Sequence, residues 1–299
     1  MLDYAALAAL AAVVREGSFE RAARALNVTA SAVSQRVKLL EERLGSVLVV
    51  RGQPCTASDV GRLLCRHVER VGMLEQDLQV ALPRLEAVAD SAGRVTLRVA
   101  VNADSLGTWF IRAMAEFVNT EPALLDLVLD DEEHTAEWLR TSEVLAAVTA
   151  GARAVQGCNR IALGRLRYAA VASPAFVRRY FAAGVTAASL ASAPRLTFNR
   201  KDRLQAQWIR LVCRRPVDTP THWLPSTQAF IDATTAGIGW GMNPVSLVQP
   251  QLRAGTLVEL VPEPHLSVAL YWQHSRLPVS MLDRLTRTVI AAARLALEP

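Results

Sequence analysis

A chain of 299 residues, 51% of them hydrophobic, is long enough for a small domain plus a larger one with its own core. The formal net charge of +5, from 33 Lys and Arg against 28 Asp and Glu, permits a polyanionic partner without demanding one. No run approaches the ~18–20 apolar residues of a membrane span. The Ala-rich start carries Asp3 and lacks a basic leader region, so the chain reads as cytoplasmic.

In chain order, Leu7, Leu10, Ala11 and Val14 recur at helical spacing, and that helix stops at Gly17. Ser18 is placed to cap a second helix in which Phe19, Ala22, Ala23 and Leu26 repeat the pattern. Asn27-Val28 makes the turn, and Thr29 caps a third helix running to Gly45. There Val33, Val37, Leu40 and Leu44 form the inward stripe, while Ser31, Ser34, Gln35 and Lys38 fall on the opposite face. Two helices joined by a tight turn, the second presenting Ser, Gln and Lys, are the means of putting a helix into the DNA major groove. On periodicity alone, a three-helix bundle with a polar face fits as well. Val47–Val50 followed by Arg51-Gly52-Gln53-Pro54 reads as a wing whose Arg51 can hold phosphate or enter the minor groove. Residues 1–58 hold seven basic residues against five acidic ones, so placement of charge matters more than its amount.

From Asp59 to Val88 the pattern is one long helix. Leu64, His67, Val71, Leu74, Leu78, Ala81, Leu85 and Val88 alternate spacings of 3 and 4, a heptad seam that suits a second copy of the helix or, alternatively, packing on the chain's own domain. Pro83 lies where it can kink the seam, and Asp90–Gly93 reads as a hinge. Thereafter strands alternate with helices. Strands are predicted at Val95–Val101, Leu124–Leu129 and Ala146–Thr149, with helices at Trp109–Val118 and Ala136–Arg140. A second set has strands at Tyr168–Ala172, Arg195–Phe198, His222–Leu224 and Gly239–Asn243, with helices at Ala175–Tyr180, Leu204–Val212 and Thr227–Ala236. Strand Val268–Trp272 and helix Met281–Leu297 close the chain. This order implies an α/β domain with a largely parallel sheet and helices on both faces.

Ligands of such sheets bind at the carboxyl ends of strands. That rule nominates Asn102, Asp104, Ser105 and Thr108 after the first strand, Asp131 and Glu133 in the acidic run after the second, which reads equally as a solvated loop, and Thr149 after the third. Asn199, Thr227 and Gln228 hold the equivalent places in the second set. The list has carboxylates suited to a cation and a helix start suited to an anion. Trp109 and Trp240 are read as bordering the ligand, and Trp208, Trp223 and Trp272 as core or lobe-interface residues.

Gly237-Ile-Gly239-Trp-Gly241 departs from a dinucleotide loop, and there is no nucleophile elbow or P-loop, so no catalytic residue and no cofactor are expected. The five histidines and four cysteines show no metal-ligand spacing, and the thiols are expected to be free.

Ser31-Ala-Val-Ser34, Leu40-Glu41, Leu44-Gly45, Arg51 and Gly61 resemble the winged helix-turn-helix of LysR-type transcriptional regulators. Val101–Ser105 followed by Thr108-Trp109-Phe110, Ala147-Val148-Thr149 and Leu270-Tyr271-Trp272 are similar to the lysine-exporter and arginine-permease regulators of that family, also known as chromosome-initiation inhibitors. The resemblance departs in the wing, where the family usually has Phe near Val49 and a second Arg near Pro54, and at Gln228, where the subfamily usually has an acidic residue.

The resemblance implies a DNA-binding domain at 1–58, a dimerisation helix at 59–89 and an effector domain at 90–299. In the effector domain, lobe I (about 94–166 and 267–299) and lobe II (about 167–266) are expected to fold like a periplasmic binding protein around a basic amino acid such as lysine or arginine. It also implies double-stranded DNA as partner, a homodimer that pairs into a dimer of dimers, and contact with RNA polymerase. Thr29, Ser31, Ser34, Gln35, Arg36, Lys38 and Arg51 are the DNA-binding candidates. The expected function is activation of amino-acid export or transport genes. Two alternatives are an architectural or origin-binding protein indifferent to ligand, and a thiol-based redox regulator acting through Cys158 or Cys213.

Overall fold

A computed structural model describes residues 2–82, 95–129, 132–151 and 153–299. Pro83, Leu85, Val88, the Asp90–Gly93 hinge and Asp131 lie outside the described residues. The chain divides into two compact units, Met1–Thr96 with Val279–Met281, and Leu97–Pro278 with Leu282–Pro299.

The first unit opens with three helices, α1 (Tyr4–Glu16), α2 (Phe19–Ala25) and α3 (Ala30–Leu44). Each starts at a side-chain cap. Asp3 accepts from the N–H groups of Ala5 and Ala6, Ser18 from that of Arg21, and Thr29 from that of Ala32. Gly17 and Gly45 end α1 and α3 in left-handed backbone, at φ 66° and 64°. At seven residues α2 is too short to persist alone. It is held by its cap and by Ala22 and Ala23, which are buried in one cluster with Leu7, Leu10, Val13, Val33, Val37 and Leu40.

The expected stripe on α1 is too narrow. Ala6, Ala9, Ala12 and Val13 are buried while Ala11 and Val14 are half-buried, because α1 packs against α2, α3 and the long helix that follows the wing and buries more than one face. Leu44, expected inward, is 40% exposed in the last turn of α3. Strands β1 (Val49–Val50) and β2 (Thr56–Ala57) then pair antiparallel as a small wing.

Helix α4 (Asp59–Ala81) begins where the wing ends. Leu64 and Val68 pack on the head's core, and Tyr4 Oη lies 3.3 Å from His67 Nε2. The first two positions of the predicted seam therefore serve the head itself. Leu74 and Leu78, further along the seam, are 42% and 52% exposed.

The second unit is built on one curled sheet. Among the described residues its order is β10-β6-β11-β5-β3-β4, with β9 also on β6. Here β3 is Thr96–Val101, β4 Leu124–Leu129, β5 Ala146–Thr149, β6 Cys158–Ala172, β9 Gly241–Pro244, β10 Val258–Glu259 and β11 Leu266–Ser275. The expectation of a largely parallel sheet is corrected at its centre. Although β3 and β5 run parallel, β6 and β11 are long antiparallel strands paired from Leu266↔Tyr168 to Ser275↔Cys158. The predicted strand at Tyr168–Ala172 is only the second half of β6. Its first half carries Arg160, Arg165 and Arg167 and hides the strand pattern.

In the first lobe, α5 (Ala103–Ser105), a π-helical turn (Leu106–Phe110) and α6 (Ile111–Thr120) make one continuous run, and α7 is Glu132–Arg140. The Thr108 hydroxyl donates to the Asp104 carbonyl at 2.6 Å, satisfying an acceptor where the wide turn shifts the ladder. The second lobe contains α8 (Pro174–Tyr180), α9 (Ala187–Ser192), α10 (Leu204–Cys213), α11 (Thr227–Thr235) and α12 (Val245–Ala254), with β7 (Arg195–Thr197) and β8 (Thr221–Trp223) paired parallel. Helices α9 and α12 are additions to the sequence reading; Pro250 inside α12 masked the latter.

Helix α13 (Ser280–Ala296) docks on β11, where Trp272 Nε1 donates to Thr286 Oγ1 at 3.0 Å. Trp240 is buried and packs tilted against Trp208, ring centroids 5.0 Å apart; a Cβ at Gly239 would collide with Leu196 and one at Gly241 with the Phe230 ring, so these two glycines serve packing. Trp223, expected in the core or at the lobe interface, is 46% exposed and lies under the Arg200 guanidinium.

Candidate functional site

Two surfaces qualify. On the head, Thr29, Ser31, Gln35 and Lys38 are exposed and Ser34 and Arg36 half-buried. Thr29 is committed to capping, with its hydroxyl also 3.1 Å from Ser31 Oγ. The Lys38 ammonium lies 3.6 Å from Glu42 one turn on, an exposed pair worth about 0.3–0.5 kcal/mol that a phosphate can displace. Arg51 is exposed on the wing, its guanidinium 5.5 Å above the Phe19 ring. That contact braces a long side chain at the N-terminal end of α2.

Within the second unit, the first lobe, the long strands and the second lobe enclose a cavity of about 630 Å³. Of the predicted residues, Asn102, Asp104, Asn199 and Thr227 line it. Asp104 is central. Tyr168 Oη, from buried β6, donates to its Oδ2 at 2.8 Å, and Thr227 Oγ1, from the start of α11, donates to its Oδ1 at 3.4 Å. The residue as a whole is half-buried, but its carboxyl group is closed in. Burial pushes it above the ordinary carboxylate range, the Tyr168 hydrogen bond opposes that, and the charge of Asp202 adds to it.

Other predicted residues have supporting or outlying places. Ser105 and Thr149 are buried, and Thr108 braces the π-helical turn. Thr149 Oγ1 accepts from Gln273 Nε2 at 3.0 Å; Gln273 also donates to the Arg153 carbonyl and accepts from the Val155 N–H at 2.8 Å. Gln273 thus pins the chain after β5, where Ala150 reaches the cavity wall. Gln228 is exposed and donates to Asp232 Oδ1 at 3.0 Å, away from the lining. Glu133 lies in α7, and its side chain, like Asp131, falls outside the described residues. Trp109 and Trp240, expected at the ligand, are buried at 3% and 0% and do not line the cavity.

Sequence reasoning missed Asp202, Tyr168, Lys201, Arg203 and Asn243. A signal for Asp202 existed. Asn199 Oδ1 accepts from the N–H groups of Lys201 and Asp202, an Asx turn that the Asn-x-x-Asp spacing encodes. Asp202 in turn accepts from the N–H groups of Phe198 and Leu204, both at 3.0 Å, which fixes its carboxylate on the wall. Tyr168 was read only as a strand residue.

Two carboxylates, two cations and several carboxamides around an apolar lining of Leu129, Phe198, Phe230, Met242 and Val268 suit a small zwitterion. Among the described residues, no group of three or more His, Cys, Asp or Glu is placed to hold a metal, and no helix is long and apolar enough to cross a membrane.

A winged head with a polar outward helix, followed by a two-lobed α/β unit around a polar cavity, defines the architecture of a ligand-controlled transcription factor. Residues 4–62 match the bacterial regulatory helix-turn-helix protein, lysR family, and residues 91–294 match the LysR substrate binding domain. The chain belongs to the LysR family of bacterial transcriptional regulators, DNA-binding proteins of the helix-turn-helix class. It is 41% identical over 301 residues to the transcriptional regulator ArgP of Pseudomonas fluorescens, covering 100% of this chain and 99% of that one. It is also similar to the crystal structure of ArgP from Mycobacterium tuberculosis (43% identity, TM-score 0.78, 100% of this chain and 99% of that one). Full-length LysG from Corynebacterium glutamicum with bound effector Arg matches at 36% identity and TM-score 0.66 over 100% of both chains.

Proposed function

We propose that this regulator takes a basic amino acid, L-arginine or L-lysine, into the cavity between its lobes and thereby switches transcription of genes for amino-acid export or transport. The observation that carries the reading is the enclosed Asp104 carboxylate on a cavity wall shared with Asp202. Two nearby carboxylates in a partly desolvated site are unfavourable alone and favourable around an ammonium or guanidinium. Lys201 and Arg203 on the same lining supply charge for the α-carboxylate, and Asn102, Asn199 and Thr227 orient the ligand. Similarity to LysG, whose structure holds Arg, supports the same class.

The division of labour proposed is 1–58 for DNA, 59–89 for pairing with a second copy, and 90–299 for the effector. In the head, Ser31, Ser34, Gln35 and Lys38 face bases, with Thr29, Arg36 and Arg51 on the backbone. The exposed Leu74 and Leu78 on α4 give a second copy an apolar stripe. Such a chain works in the cytoplasm. The redox alternative loses ground at Cys158, whose burial raises its thiol away from the reactive thiolate.

The test is a thermal-shift screen of the full-length chain against the common amino acids. Arginine or lysine at a hundred times its Kd is expected to stabilise the chain by about 2.7 kcal/mol. Stabilisation by another amino acid and by neither of these overturns the basic-ligand assignment. On the DNA side, Gln35→Ala is expected to lose about 1–3 kcal/mol on a duplex enriched from a random pool and little on random DNA. Equal loss on both makes Gln35 a backbone contact.

A further inference from the structure

We infer that Glu41 is a positioning residue for DNA binding: from the last turns of α3 it fixes the root of the wing and so sets where Arg51 meets the DNA backbone. The inference rests on the assignment of Arg51 as a DNA contact. Glu41 Oε1 accepts two backbone hydrogen bonds, from the N–H of Leu48 at 2.7 Å and of Val49 at 3.2 Å. Both belong to the segment where the chain enters β1, and both residues are buried, at 0% and 4% exposure. On the other side of Leu48, its carbonyl accepts from the Ser58 N–H at 3.0 Å, and the Ser58 hydroxyl donates to the Val47 carbonyl at 2.6 Å. The wing root is therefore held from two sides, by the recognition helix and by the start of α4.

The wing needs this anchoring. Its ladder is two residues long on each strand, Val49↔Ala57 and Val50↔Thr56, too short to hold a position by itself. Arg51 follows directly, with Phe19 beneath its guanidinium. Glu41 lies six residues beyond Gln35 on the same helix, roughly 9 Å along its axis. Base-reading face and wing root are thus one rigid piece. The helix itself gives no reason for a carboxylate there, since an acidic residue near a helix C-terminus opposes the helix dipole.

The experiment compares the full-length chain with E41A, E41D, E41Q, R51A and the E41A/R51A double variant on a duplex that the unsubstituted chain enriches from a random pool. E41A and R51A are each expected to weaken binding about tenfold and to lower the slope of log affinity against log salt by about one unit, with the double variant no weaker than R51A alone. E41Q keeps the acceptor oxygen and is expected to bind within about twofold of the unsubstituted chain, whereas E41D keeps the charge, loses the reach and behaves like E41A. If E41A does not fold, E41D and E41Q still decide. Additive losses in the double variant, or E41D binding as well as E41Q, overturn the role of Glu41. R51A binding like the unsubstituted chain overturns it in a distinguishable way, by removing the contact that Glu41 would place.

Discussion

Asp104→Asn is expected to weaken arginine or lysine binding by about a hundredfold while raising the thermal stability of the unliganded chain. Asparagine keeps an oxygen to accept from the Tyr168 hydroxyl, now 2.8 Å from Asp104 Oδ2, and turns its Nδ2 to donate to the Thr227 hydroxyl, now 3.4 Å from Oδ1, so the wall keeps its shape. What is lost is the enclosed negative charge facing a cationic ligand; removing one partner of such a pair costs about 2–5 kcal/mol. The opposite sign for stability follows from the carboxyl group itself. Burial raises its pKa in the folded chain above 3.8, so the folded state holds a proton that the unfolded state releases first. This stabilisation is fully present below the unfolded value and is lost as pH rises through the folded value. At neutral pH the carboxylate is therefore a destabilising group, and its replacement by a neutral carboxamide removes the penalty.

Ligand binding carries the reverse pH dependence. A cation favours the ionised carboxylate, so arginine affinity is expected to rise with pH across the same window, and D104N is expected to flatten that rise. Calorimetry and thermal unfolding as a function of pH check both. A D104N chain that binds as tightly as the parent, or is less stable when unliganded, overturns the assignment of Asp104 to the ligand.

The head was legible because its signals are local. Ser18 and Thr29 cap the helices expected of them, Gly17 and Gly45 stop them, and Val33, Val37 and Leu40 are buried as the periodicity requires. At Leu64 and His67 the heptad spacing left two neighbours open, a second copy or the chain's own domain, and it is the head that fills them.

In the second unit, β4 and β5 have the predicted ends, yet the centre of the sheet was misread. Alternating charge and a glycine in residues 158–167 conceal a strand whose identity depends on its partner β11. The cavity was legible where a residue follows a strand within a few positions, as Asn102, Asp104, Asn199 and Thr227 do. Asp202 reaches the wall through a turn, and Tyr168 through the crossing of a long strand. The turn is written in the Asn-x-x-Asp spacing, whereas the place of Tyr168 depends on contacts between distant parts of the chain, with 64 residues separating it from Asp104. Sequence spacing is silent on those.

Gly61→Ala is expected to abolish DNA binding and leave amino-acid binding intact. The resemblance singled out Gly61, and packing supplies its reason. It is buried near the start of α4, where a Cβ would collide with the Leu48 carbonyl oxygen and lie 3.1 Å from the carbonyl carbon and 3.3 Å from Ala57 Cβ. Two effects compete. Alanine favours a helix interior over glycine by about 1 kcal/mol. Overpacking against fixed backbone costs about 1–3 kcal/mol or more. The Leu48 backbone is fixed, by Glu41 on its N–H and Ser58 on its carbonyl, so it moves only if the wing root moves with it. The clash therefore wins, and its damage falls on the wing and α3 together.

Gly72, on the same helix, is the control. A Cβ there meets nothing within 4 Å, and the residue lies beside Val71 and off the exposed stripe, so Gly72→Ala is expected to stabilise by up to about 1 kcal/mol. The cavity belongs wholly to the second unit, which has its own core, so arginine binding by G61A is expected to stay within about twofold of the parent. Parental DNA affinity in G61A would show that the wing root yields, and would weaken the positioning role of Glu41 with it.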